Sequence, residues 1–133
     1  MKNSVLLIFV ISLFASCNHE SKDEKIKRQA QEFTQSSCPK PMDKYTILDS
    51  LVYDIEGRVM TYYYSVSGIL DSKSVYSSEF LAEFHSNLLD NIQHNAGLAD
   101  LKKHAVTFRY NYASSTSSKW MLVAFSTRSC EHQ

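Results

Sequence analysis

Two stretches of the chain carry apolar residues at helical spacing, and four read as strands. Across residues 24–35, Ile26, Ala30 and Phe33 recur among Lys, Arg, Gln and Glu, which predicts a short amphipathic helix. The run Ser36-Ser37-Cys38-Pro39-Lys40-Pro41 ends it, because proline disfavours helix at the residue before it and has no N–H to donate. A first strand is expected over 44–54, rich in Tyr, Thr, Ile, Leu and Val. Ile55-Glu56-Gly57-Arg58 reads as a hairpin turn with Gly57 free to take a positive φ, and the second strand, 58–67, holds Thr61-Tyr62-Tyr63-Tyr64. After a connection over 68–75, Ser77, Ser78 and Glu79 supply an N-cap and a first-turn acid for a long helix. Its residues Phe80, Leu81, Phe84, Leu88, Leu89 and Ile92 fall within one half of the helical wheel, and Gly97 is placed to stop it.

Beyond a link over 98–103, residues 104–112 alternate. Val106, Phe108, Tyr110 and Tyr112 fall on one side, with Thr107, Arg109 and Asn111 on the other. A Ser/Thr-rich loop over 113–118 leads to a fourth strand, 119–127. The order α-β-β-α-β-β predicts an α+β fold: a four-stranded antiparallel sheet packed on one face by the long helix and the short N-terminal helix.

The N-terminus carries an address. Met1-Lys2-Asn3 precedes an apolar run from Val5 to Phe14 broken only by Ser12, and Ala15-Ser16-Cys17 follows. One positive residue, a short apolar stretch and a small-residue exit form a secretory signal, too short for an ordinary transmembrane helix. Leu13-Phe14-Ala15-Ser16-Cys17 resembles the lipobox of bacterial lipoproteins, with Phe14 where Leu is usual. That resemblance implies removal of residues 1–16 and acylation of Cys17, by palmitate or a similar chain. Acyl chains contribute about 0.8 kcal/mol per buried methylene, so two or three hold a small domain to a bilayer where one is marginal. Residues 17–24 are read as a solvated tether and 25–133 as one α+β domain. Ser21-Lys22-Asp23-Glu24 also resembles the signal that sends Bacteroidetes lipoproteins to the outer face of the outer membrane. The expected setting is the cell envelope, as an outer membrane lipoprotein facing the periplasm or the surface.

Composition narrows the function by exclusion. The chain has 133 residues, with 14 Lys+Arg against 14 Asp+Glu, and is 44% hydrophobic. That is one packed domain, not a disordered segment. Zero net charge lacks the basic surplus of a nucleic-acid binder. Three glycines and no phosphate-loop spacing leave nucleotide binding without its usual loop. In an oxidising compartment Cys38 and Cys130 are expected to form a disulfide, lowering unfolded-chain entropy by about 4 to 5 kcal/mol in free energy.

Familiar reaction chemistry finds no pattern. His85 and His94 are nine residues apart, half a turn of rotation, so they cannot share an ion, and no metal or cofactor is expected. Asp43 and Asp49 on a strand would stand roughly 20 Å apart, too far for a glycosidase pair, and Asp43 is read as accepting backbone N–H groups in a turn. No G-x-S-x-G or S-x-x-K occurs. The chain is read as non-enzymatic. Its most distinctive residues are aromatic: Tyr62, Tyr64, Tyr110 and Tyr112 with Arg109 and Trp120. They admit two readings, a recognition face or cross-strand pairs that stabilise the sheet.

Cys38-Pro39, Asp43, Thr46 and Leu48-Asp49, followed by a strand holding Tyr62 and Tyr64, resemble a family of small secreted or periplasmic bacterial proteins. Members carry Pro, Asp, Thr and Leu at this spacing ahead of a Tyr-x-Tyr strand. Many also carry a cysteine in or after the long helix, which residues 88–98 here lack. The resemblance implies an α+β envelope domain and no activity. Two functions follow as expectations: a lipid-anchored domain binding a protein or glycan through its aromatic face, or an immunity or inhibitor lipoprotein in the periplasm.

Overall fold

The computed structural model describes residues 19–116 and 121–127, the stretch 121–125 by its backbone alone. Helix α1 (Lys22–Ser37) starts at a capping box in which Ser21 Oγ accepts the Glu24 N–H and Glu24 accepts the Ser21 N–H. Lys22, Asp23 and Glu24, read from sequence as tether, are therefore the first turn of the helix. Strand β1 (Lys40–Pro41) is a two-residue edge ahead of β2 (Thr46–Asp54) and β3 (Val59–Val66). The β2–β3 turn departs from expectation in one backbone angle. Arg58, not Gly57, takes the positive φ of 51°. Gly57 is required for space instead, since a Cβ there would lie 2.7 Å from Asp54 Oδ2, the atom that accepts its N–H.

Helix α2 (Ser78–His94) opens at Ser77, which accepts the Phe80 N–H as the sequence predicts, and ends at Asn95. A short helix α3 (Ala99–Lys103) leads into β4 (Thr107–Ser114), and β5 (Met121–Ser126) completes the sheet. The five strands lie in sequence order. β1–β2, β2–β3 and β4–β5 are antiparallel, but β3 and β4 run parallel, with Tyr62 opposite Tyr110 and Tyr64 opposite Tyr112. The expected four-stranded antiparallel sheet is thus corrected to a five-stranded mixed one. The cause is the connection over 67–106: it carries two α-helices and three single 3-10 turns, enough chain to return to the starting end of the sheet, as a parallel pair requires.

One face of the sheet holds the core. Ile26 and Ala30 from α1 and Ile92 from α2 meet Tyr53, Met60, Val66, Phe108 and the tyrosines of β4 there. Phe108 and Val66 are the most deeply buried large side chains, and removing each from water contributes about 1.5–3 kcal/mol. Thr34 ties α1 to the sheet edge: its Oγ1 donates to the Leu51 carbonyl at 3.1 Å and accepts the Leu51 N–H at 2.9 Å. One hydroxyl thereby satisfies both strand groups that a further strand would otherwise pair. Among the described residues no helix is long and apolar enough to cross a membrane.

Candidate binding site

The alternation of β3 and β4 sends Tyr62, Tyr64, Tyr110 and Tyr112 to the inner face, where parallel pairing sets their rings side by side. Tyr62 stacks on Tyr110 with centroids 4.9 Å apart, and Tyr64 stacks on Tyr112 at 4.7 Å, with interplanar angles of 10° and 8°. The diagonal Tyr64–Tyr110 contact at 6.4 Å joins the two pairs into one ladder. Cross-strand aromatic pairing is therefore present, and such pairs add about 0.5–1.5 kcal/mol beyond the area they bury. Tyr110 and Tyr112 are buried, while Tyr62 and Tyr64 are half-buried.

Arg109 does not share that face. It lies opposite Thr61 in register and is exposed on the outer side of the sheet, near exposed Tyr63. The grouping of Arg109 with the four tyrosines is corrected on this point, because neighbouring strand residues point to opposite faces. Trp120, Cys17 and Cys130 lie outside the described residues. Cys38 is the C-cap of α1, half-buried and without a disulfide partner among the described residues; burial and nearby Asp49 push its thiol pKa up.

Burial raises the phenol pKa values along the ladder. Tyr64 is pushed up to about 12 by burial and the neighbouring Tyr62, and Tyr110 and Tyr112 are raised by burial and the adjacent phenols. All four are neutral donors at physiological pH. Among the described residues none of these hydroxyls has a hydrogen-bond partner.

Each end of the ladder meets a hollow. Tyr62, with Leu51 and Met60, floors a groove of about 710 Å³ between α1 and α3, whose rim carries Lys25, Gln29 and Asp100. Tyr64 and Tyr112 line a smaller hollow of about 230 Å³, closed by Tyr76, Phe80 and Phe84 and edged by Asp43. Asp43 behaves as its turn position predicts, its Oδ1 accepting the Tyr45 N–H at 2.8 Å.

A third constellation escaped the sequence reading. Asp23 Oδ1 accepts the Tyr53 hydroxyl at 2.6 Å and lies 2.7 Å from His104 Nε2, and Arg58 Nε stands 3.5 Å from Oδ2. Tyr53 and His104 hold the Asp23 carboxyl below its ordinary pKa, with Arg58 adding to the effect. Tyr53 is 3% exposed, while the Asp23 and His104 side chains around its hydroxyl are partly exposed and Arg58 is open to solvent. The cluster fastens the first turn of α1 to β2, the β2–β3 turn and the end of α3. His85 and His94 do not meet, and no group of metal-ligating side chains occurs among the described residues.

The architecture has a counterpart in a Pseudomonas aeruginosa crystal structure of a protein inferred to be secreted. It matches with a TM-score of 0.60 at 14% identity, over 81% of this chain and 95% of that one. At that identity the likeness concerns the fold. No match occurs among curated proteins. The family model described as a domain of unknown function, DUF8479, covers residues 21–123, from the Ser21 cap of α1 into β5, and the chain belongs to that family.

Proposed function

We propose that the chain works in the cell envelope as a lipid-anchored, non-enzymatic domain that binds a protein or glycan in the groove between α1 and α3. The observation that carries this reading is Tyr62 at the groove floor, half-buried, its hydroxyl without a partner among the described residues. An aromatic floor with a few polar groups at the rim is the usual make-up of a ligand cleft, and about 710 Å³ falls in the ordinary size range. The envelope location rests on the signal sequence, the lipobox resemblance of Leu13-Phe14-Ala15-Ser16-Cys17 and a structural neighbour inferred to be secreted. The non-enzymatic reading is supported by the Asp23–Tyr53–His104 cluster, whose polar groups are spent on one another in fastening α1 to β2 and α3.

A photo-crosslinking residue at exposed Gln29, on the groove rim, tests the reading in envelope fractions and on purified glycans. The expected result is a defined adduct that falls about tenfold with Tyr62→Ala, as for a buried aromatic anchor. Equal adduct yield from wild type and Tyr62→Ala overturns it. Intact-mass analysis of membrane-extracted protein reads the anchor: an N-terminal acylated Cys17 supports it, and an unmodified Cys17 in a soluble product contradicts it.

A further inference from the structure

We propose that the smaller hollow, walled by Tyr64, Tyr112, Phe84, Phe80 and Tyr76, binds a small alkylammonium ion, with Asp43 supplying the counter-charge. The site lies at the other end of the ladder from the groove and stands whether or not a macromolecule occupies that groove.

The rings form an unbroken wall. Tyr64 stacks on Tyr112 at 4.7 Å; Phe84 meets Tyr112 at 5.0 Å with the planes at 65°. Phe80 stacks on Phe84 at 5.9 Å, and Tyr76 meets Phe80 edge-on at 5.5 Å and 86°. Rings drawn from β3, β4, α2 and the preceding connection thus surround one space at different inclinations. The Tyr76 hydroxyl is held out of play by donating to the Leu70 carbonyl at 2.7 Å. Aromatic faces carry negative potential, and several around one cavity attract a cation whose hydration is weak.

Charge and size select the guest. Asp43 is the one charged side chain among the described lining residues, and none of them is basic. An anion finds no counter-charge, whereas a cation finds a carboxylate at the mouth and rings within. At about 230 Å³ the hollow is smaller than pockets that enclose drug-sized ligands, so it suits a compact onium group. Gly68 keeps the mouth in place. With φ at +58°, it lies so close to the Tyr45 ring that a Cβ would approach within 2.8 Å, and Ser67 N–H donates to the Tyr45 carbonyl beside it. That packing holds the segment bearing Met42 and Asp43 against the end of β3.

Titration of the full domain with tetramethylammonium, followed by backbone NMR, tests the proposal against neutral tert-butanol, a guest of similar shape. Saturable shifts at Thr46, Val66 and Tyr112 are expected with the cation, with tert-butanol binding about tenfold more weakly. Phe80→Leu, which keeps apolar volume but removes a π-face, is expected to weaken the cation about tenfold and leave tert-butanol unchanged. Asp43→Asn keeps the acceptor for the Tyr45 N–H and is expected to weaken the cation about fivefold. Equal affinity for the two guests, no saturable shift in wild type, or full affinity in Asp43→Asn overturns the proposal. The comparison of guests in wild type decides the matter without any variant.

Discussion

Helices α1 and α2 cover the same face of the sheet in different ways. α1 is bolted down: Ile26 and Ala30 are buried, Thr34 completes the edge of β2, and Asp23 gathers Tyr53, His104 and Arg58 around its first turn. α2, one residue longer, buries only Ile92. It leans on the sheet through partly covered Leu81, Phe84 and Leu88, with Phe84 set edge-on against Tyr112. Directional polar bonds fix a helix at one position, whereas ring contacts tolerate gaps, and both hollows border the tyrosine ladder where coverage is incomplete. Unequal anchoring of this kind makes α2 the helix expected to open first, because mobile elements come from the less stable parts of a fold.

The largest test of this contrast is a pair of truncations. Ile26→Ala in α1 is expected to lower stability by about 2–4 kcal/mol, and Leu89→Ala, on the half-buried flank of α2, by less than about 1 kcal/mol, both read by urea denaturation. Similar losses at the two positions would erase the distinction. Next comes Thr34→Val, which removes both bonds to Leu51 while keeping side-chain shape. Leaving those strand groups unpaired is expected to destabilise by about 1–3 kcal/mol and to expose an edge that promotes self-association, visible by light scattering.

The charged latch makes the contrast pH-dependent. The Asp23 pKa is depressed in the folded chain, so its contribution is present above the unfolded value of about 3.9 and is lost as pH falls through the folded value. Wild type is expected to lose stability on acidification more steeply than Asp23→Asn, the difference confined to pH below about 4. At the alkaline end the sign is reversed. The raised phenol of Tyr64 contributes below its unfolded value of about 10, and that contribution is lost as pH rises through about 12. The smallest effect is expected at Arg28, whose bonds to Glu20 and Glu32 are exposed. Arg28→Ala is expected to change stability by less than about 1 kcal/mol, since such pairs are weak in water.

Elements with a long repeating pattern were legible in the sequence, and so was the cap of α2, whereas the Ser21 cap of α1 was hidden in a stretch read as tether. The Ser77 cap, the alternation of β4 and the turn role of Asp43 follow from neighbours a few residues away. Partnerships across the chain were not. Nothing local says that β4 lies parallel to β3, and a two-residue β1 or a five-residue α3 is too short to leave a periodic trace. The Asp23 latch joins residues 30 and 81 positions apart, so neither partner announces the other. Arg109 is the instructive case: the alternation of its own strand separates it from Tyr110 and Tyr112, and grouping it with them by composition overrode that signal. The aromatic hollow had half a signal, in Phe80 and Phe84 on the apolar side of α2. The other half is Tyr76 and Asp43, brought in by the connections.

Native-state hydrogen exchange tests the unequal anchoring of the two helices most directly. Amides over 26–34 in α1 are expected to exchange only through global unfolding, while those over 81–89 in α2 exchange through a smaller opening, at least about tenfold faster. Equal protection of the two helices, or stronger protection of α2, would contradict the account.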